Sequence, residues 1–106
     1  MKEHIKDMCD YLTANKCKDV AVYDLSSEGH DYDYIFVATV SSQMASKKLA
    51  SVIMRDFEIQ EFPEGYHKGE WVIYDLGHYV VHVFVSAVRE KYNLDKLWQS
   101  KKIEVQ

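Results

Sequence analysis

Two segments past the middle of the chain, residues 71–76 (WVIYDL) and 79–85 (YVVHVFV), flank Gly77-His78 and alternate in polarity with the period of a strand. Successive strand residues point to opposite faces, and a two-residue loop with Gly first suits a type II′ hairpin turn. That register pairs Leu76 with Tyr79, Tyr74 with Val81 and Val72 with Val83 on one face. With Val85 this face is nearly all aliphatic, which predicts a helical cover. The other face pairs Asp75 with Val80, Ile73 with His82 and Trp71 with Phe84. It mixes two large aromatics with a carboxylate and an imidazole. Such a face reads as core, the commoner fate of large aromatics, or as an exposed surface for protein recognition.

Helical spacing frames the hairpin. Ile5, Met8, Cys9 and Leu12 recur at i, i+3, i+4 and i+7, predicting a helix over 3–15. Residues 20–25 and 32–40 predict strands, the second rich in β-branched and aromatic side chains, with 26–30 as the loop between them. Ser41 or Ser42 is expected to cap a helix running to about Phe57, with Ala45, Leu49, Val52, Ile53 and Phe57 as its buried stripe. Pro63 and Gly65 mark 60–68 as a loop. Ser86 is expected to cap a short helix through Tyr92, Asn93-Leu94-Asp95 to start a further turn towards Trp98, and 103–105 to add an edge strand. The order α-β-β-α-β-β-α-(β) predicts an α/β fold, a small mixed β-sheet with helices packed mainly on one face, in a single domain over 1–106.

Composition narrows the function classes. Among 106 residues, 47% are hydrophobic and 28% charged, as in ordinary globular domains. The apolar runs are too short to span a bilayer, and residues 1–13 carry charge throughout with no apolar signal segment, so a cytoplasmic location without a membrane partner is expected. Cys9 is expected to act as a small buried hydrophobe and Cys17 as a bystander in a Lys-flanked loop; neither spacing suggests a disulfide or a metal site. The net charge of −4 weighs against direct binding to a nucleic-acid backbone and favours a basic protein partner.

Two kinds of catalytic constellation are open to a chemical test. Asp31, Asp33 and Asp75 form a candidate carboxylate set for the Mg²⁺ ions of nucleotidyl transfer. That chemistry also needs a phosphate cradle, usually Gly-rich, and the turn before the second helix reads Thr39-Val40-Ser41-Ser42 without a glycine. Solvated or turn-capping aspartates are the preferred reading. The five histidines lack metal-ligand spacing, and no nucleophile elbow surrounds any serine. No enzyme and no cofactor is expected.

Several of these residues stand in a combination that resembles the ribosomal silencing factor S (Iojap-like) family. The matching motifs are Asp33-Tyr34-Ile35-Phe36-Val37-Ala38-Thr39, Glu64-Gly65, Gly69 to Asp75 with Trp71, and Gly77. Val80-Val81-His82-Val83-Phe84, Arg89, Tyr92, Leu94, Leu97 and Trp98 complete them. The chain departs from the family at Val40 and Met44-Ala45, where a Gly and an Arg/His-bearing segment are common, and at His78, usually Asp. The resemblance implies a nucleotidyltransferase-like fold without transferase activity. It implies binding to the large (50S) ribosomal subunit through large-subunit ribosomal protein fourteen, which blocks joining of the small (30S) subunit and represses translation under nutrient limitation. Carried over, the contact surface is Trp71, Leu76 and Tyr92, with Asp75, His82, Phe84 and Arg89 as neighbours and Leu97 and Trp98 as packing anchors. Off the ribosome, a homodimer is the expected shield for such a face.

Overall fold

Strands that are apolar on both faces have to lie inside a sheet with cover on both sides. Two strands here meet that condition, β2 (Tyr34–Val40) and β4 (Tyr79–Val85), each buried at nearly every position. They pair in parallel, Tyr34 against Tyr79 through Val40 against Val85, and form the centre of the sheet. The computed structural model describes residues 2–29 and 33–105.

Around that centre the chain adds α1 (Lys2–Ala14), β1 (Lys18–Asp24), α2 (Gln43–Asp56) and β3 (Trp71–Asp75). After β4 come α3 (Ser86–Tyr92), α4 (Leu94–Leu97) and the two-residue β5 (Lys102–Ile103). The strand order is β3-β4-β2-β1-β5, antiparallel except for the central pair. A parallel pair needs a crossover, and α2 lies in the β2-to-β4 connection. The predicted element order and the mixed sheet are both present. The hairpin register is also the expected one, from Trp71 opposite Phe84 to Asp75 opposite Val80. Of its two loop residues only Gly77 takes a positive φ, +92°. Among the described residues no helix is long and apolar enough to cross a membrane.

The two faces carry cores of unequal size. The larger packs Ile5, Met8 and Leu12 of α1 and Leu49, Ala50 and Ile53 of α2 onto Val22, Phe36, Val72, Tyr74, Val81 and Val83. The smaller, on the opposite face, gathers Ala21, Tyr23, Leu25, Ile35, Val37 and Phe84 beneath Trp71, Val88, Leu94 and Trp98.

Several local expectations are corrected. Ser42 is the cap of α2, its hydroxyl accepting the Ala45 amide at 3.0 Å, but the buried stripe is Ser46, Leu49, Ala50 and Ile53. Ala45 and Val52 are half-buried, and Phe57 is exposed because it stands at the C-cap, where the helical path has ended. The inward face of α2 thus centres on 46, 49, 50 and 53, with Ala45 and Val52 at its margins. Ser86 is the first residue of α3 and makes no cap; Val85 precedes the helix without a side-chain hydrogen bond. The last strand is Lys102–Ile103 rather than 103–105. Cys17 is the buried cysteine, its thiol pushed up to about 11 by desolvation, whereas Cys9 is half-buried. Strand β2 starts at Tyr34, and Asp31 and Tyr32 lie outside the described residues.

The segment before β3 folds back over that edge strand. The Ile73 amide donates to the Glu64 carbonyl at 3.0 Å and the Gly69 amide to the Gly65 carbonyl at 2.9 Å. Gln43 Nε2 ties the same segment to α2 through the Lys68 carbonyl at 2.9 Å. An open edge would invite pairing with another chain, and this loop covers part of it. Gly65 makes the approach feasible: its φ is +83°, and a Cβ there would lie 2.0 Å from the Trp71 carbonyl oxygen. Gly65→Ala is therefore expected to lower stability by about 2 kcal/mol or more, read by urea denaturation. An unchanged midpoint would show that the loop does not sit against β3.

Candidate functional site

Trp71, at the start of β3, and Phe84, opposite it on β4, share the second face of the sheet and stack with centroids 4.9 Å apart at 26°. Tyr92, at the end of α3, leans against Trp71 at 4.9 Å and 44°. The Trp71 indole N–H donates to His82 Nδ1 at 2.9 Å. That bond fixes His82 as the neutral tautomer with its proton on Nε2. Burial favours the same form, pushing the imidazole down to about 4. Trp98 closes the other side, 6.1 Å from His82 and 5.9 Å from Tyr23.

The exposures differ sharply within this cluster. Phe84 is 0% and His82 8% exposed, Trp71 is half-buried, and Tyr92 is 52% exposed. His82 and Phe84, expected as neighbours on a contact surface, are buried. Trp71 and Trp98 cover them, and they set the orientation of the indole. Tyr92 is exposed, and Trp71 and Trp98 keep part of their area accessible. Large rings held from behind offer contact area with little rotamer entropy left to lose.

Arg89 holds α3 in place. Its Nε and Nη2 form a two-point bridge to Asp95 at 3.0 and 2.9 Å, while Nη1 donates to the Asp19 carbonyl at 2.7 Å and to Thr39 Oγ1 at 2.9 Å. The Tyr23 hydroxyl also donates to Asp95. Burial alone would raise the Asp95 carboxyl, but hydrogen bonds from Arg89 and Tyr23 outweigh it and hold the group below the ordinary carboxylate range. Arg89 therefore fastens α3 and α4 to β1 and β2, its guanidinium bonded to groups of the fold. Asn93, at φ +48° between the two helices, permits the turn that brings Asp95 back to Arg89.

Asp75 and Leu76 stand at the other end of β3. Asp75 is exposed and accepts the Gly77 amide at 3.1 Å. Leu76 belongs to the opposite face, half-buried against the larger core, and lines a shallow cavity of about 390 Å³ with Asp33, Tyr34, His78 and Tyr79. Five strand steps correspond to roughly 17 Å, so Leu76 and Asp75 are a separate part of the hairpin from Trp71 and Tyr92. Leu97, expected as a packing anchor, is 70% exposed, while Trp98 does pack.

The candidate metal-binding carboxylates are dispersed. Asp33 pairs with His78 at 3.2 Å, Asp75 serves the turn, and Asp31 lies outside the described residues. Among the described residues no group of three His, Cys, Asp or Glu could hold a metal ion. A cavity of about 450 Å³ beside the start of α2 is lined by Lys16, Ser41, Ser42 and Lys48 among others and carries no carboxylate. Asp95, Thr39 and Tyr23 are the functional partners that sequence reasoning missed. The short Arg89–Asp95 separation is a local signal for Asp95 alone, while Thr39 and Tyr23 lie 50 and 72 residues from their partners.

The family described as "Ribosomal silencing factor during starvation" matches residues 1–106. Ribosomal silencing factor RsfS of Chromobacterium violaceum is 34% identical over 93 residues, covering 82% of this chain and 75% of that protein. The protein of the same name from Bacillus subtilis is 30% identical over 88 residues, with 78% and 74% covered. A crystal structure of a Chromobacterium violaceum protein superposes with a TM-score of 0.78 at 31% identity, covering 99% of this chain and 92% of that one. One from Bacillus halodurans gives 0.74 at 27% identity, covering 98% and 99%.

Two measurements check this geometry. Between the ordinary histidine value and about 4, unfolded chains take up a proton at residue 82 that the folded protein refuses, so stability falls as pH drops through that window. The loss is expected to reach about 3 kcal/mol by pH 4. Urea titrations from pH 7 to 4.5 should show a smaller slope for His82→Gln than for the parent; equal slopes would contradict a buried neutral His82. Arg89→Lys keeps the charge but loses the fork. It is expected to cost about 2 kcal/mol and to increase amide exchange across α3. Unchanged exchange would leave Arg89 without the fastening role.

Proposed function

The chain belongs to the ribosomal silencing factor family, and on that basis we propose that it is a translational repressor that binds the large ribosomal subunit. In this reading it docks on large-subunit ribosomal protein fourteen and obstructs joining of the small subunit when nutrients are short. It works in the cytoplasm as a binding protein and catalyses no reaction. The observation that carries the docking site is the Trp71–Tyr92 pair, two accessible rings held rigid by Phe84, His82 and the Arg89 fastening.

Three physical properties support this. Aromatic anchors over a supporting layer are the kind of group that dominates binding energy at protein interfaces. A net charge of −4 suits a basic ribosomal protein, speeding encounter and disfavouring bare RNA. A body of 34 × 30 × 26 Å seated at a subunit-joining face excludes the opposing surface by volume alone. Such a mechanism requires affinity and position, with no conformational step.

Trp71, Tyr92 and Leu76 are assigned direct contact in this reading, with Asp75 at the rim. His82, Phe84 and Arg89 act through the rings they position. Tyr92 offers the cleanest test because its removal leaves the core in place. Tyr92→Ala is expected to weaken retention by pelleted large subunits by about 2 kcal/mol, some thirtyfold, with little change in melting temperature. Trp71→Ala should weaken retention at least as much and also lower stability, because it uncovers Phe84 and His82. Full retention of folded Tyr92→Ala would remove this surface from the docking site.

A further inference from the structure

The loop between α2 and β3 holds a second aromatic group, apart from the Trp71 cluster. Phe62 is 60% exposed, and its ring stacks on Tyr66 at 4.5 Å and 24°. His67 stands near both, 6.0 Å from Phe62 and 5.5 Å from Tyr66. Tyr66 is anchored: it packs against the larger core, and its amide donates to the Pro63 carbonyl at 3.2 Å. The loop itself is tied to β3 by the Glu64 carbonyl and to α2 by the Lys68 carbonyl, and is closed internally by the Gly65 carbonyl. Phe62 is thus held outward on a fixed platform, although folding of the core does not require it there.

Charge defines what would cover it. Residues 58–70 contain four glutamates, Glu58, Glu61, Glu64 and Glu70, against the single Lys68. Lys68 is already paired with Glu70 at 3.2 Å. No ion pair or side-chain hydrogen bond occupies Glu58, Glu61 or Glu64 among the described residues. The rings also attract a cation within the fold, since Lys47 Nζ lies 5.8 Å from the Tyr66 centroid. A stacked aromatic pair flanked by unpaired carboxylates fits a planar cation, which can lie on a ring face while its N–H groups reach the carboxylates. Phosphate-bearing strands would instead meet repulsion from the three free glutamates.

We propose that the Phe62–Tyr66 stack, with Glu61 and Glu64, is a docking site for an arginine side chain in an extended basic segment of a partner protein. Guanidinium suits it better than ammonium because it stacks flat and is less strongly hydrated. The site is distinct from the Tyr92 surface, and its chemistry does not depend on which basic protein supplies the segment.

The test is an NMR titration of the ¹⁵N-labelled chain at low salt with the heptapeptide Gly-Arg-Gly-Arg-Gly-Arg-Gly. Saturable shifts are expected at Phe62, Tyr66 and the neighbouring glutamates. Binding should weaken about fivefold in Phe62→Ser and about threefold in the double variant Glu61→Gln/Glu64→Gln, and the lysine version of the peptide should bind more weakly than the arginine one. Tyr92→Ala should bind the peptide like the parent, which separates this site from large-subunit docking. The proposal is overturned by an absence of saturable shifts at millimolar peptide, by shifts that Phe62→Ser leaves intact, or by hexauridylate binding the stack more tightly than the peptide.

Discussion

The sheet has two central strands buried at nearly every position, so it must be covered on both faces, and the two covers differ in thickness. Helices α1 and α2 supply one cover, over the larger core. The opposite face receives only the segment after β4, two short helices and a Trp, held down by Arg89 and Asp95. Much else depends on this imbalance. Trp71 and Trp98 serve as lids over Phe84 and His82, and Trp71 and Tyr92 are left partly open beside the short helix α3. The surface assigned to docking is therefore the unfinished edge of a second core.

The elements most legible from sequence are those governed by one strong local rule. Alternation across Gly77-His78 predicts the hairpin register, which the structure reproduces pair by pair. Helical spacing places α1 and α2 but misses the inward face of α2, where Ser46 and Ala50 join Leu49 and Ile53. Phe57 is misassigned because periodicity continues past the point where the helix stops. The roles of Arg89 and Leu97 are illegible for a different reason. Arg89 finds its partners at Asp19, Thr39 and Asp95, far apart in sequence except for the last, and no local pattern encodes that convergence.

The surface proposed for docking shows the same division between local rule and tertiary outcome. Parity correctly places Trp71, His82 and Phe84 on one face, but sharing a face does not settle which of them a partner can touch. Burial settles it. His82 gives its lone pair to the indole, Phe84 gives the stacking plane, and both are buried, whereas Trp71 is half-buried and Tyr92 exposed. A neutral imidazole is the appropriate acceptor there, since a protonated one would lose the indole hydrogen bond and leave a charge beneath the two lids.

The central claim is that this fold acts by occupying the joining face of the large subunit, and gradient sedimentation of mixed ribosomal subunits tests it most directly. Purified chain added to large and small subunits under joining conditions is predicted to migrate with free large subunits and to reduce the joined peak in proportion to its amount. Finding the chain within joined ribosomes, or at the top of the gradient with the joined peak undiminished, would contradict the account.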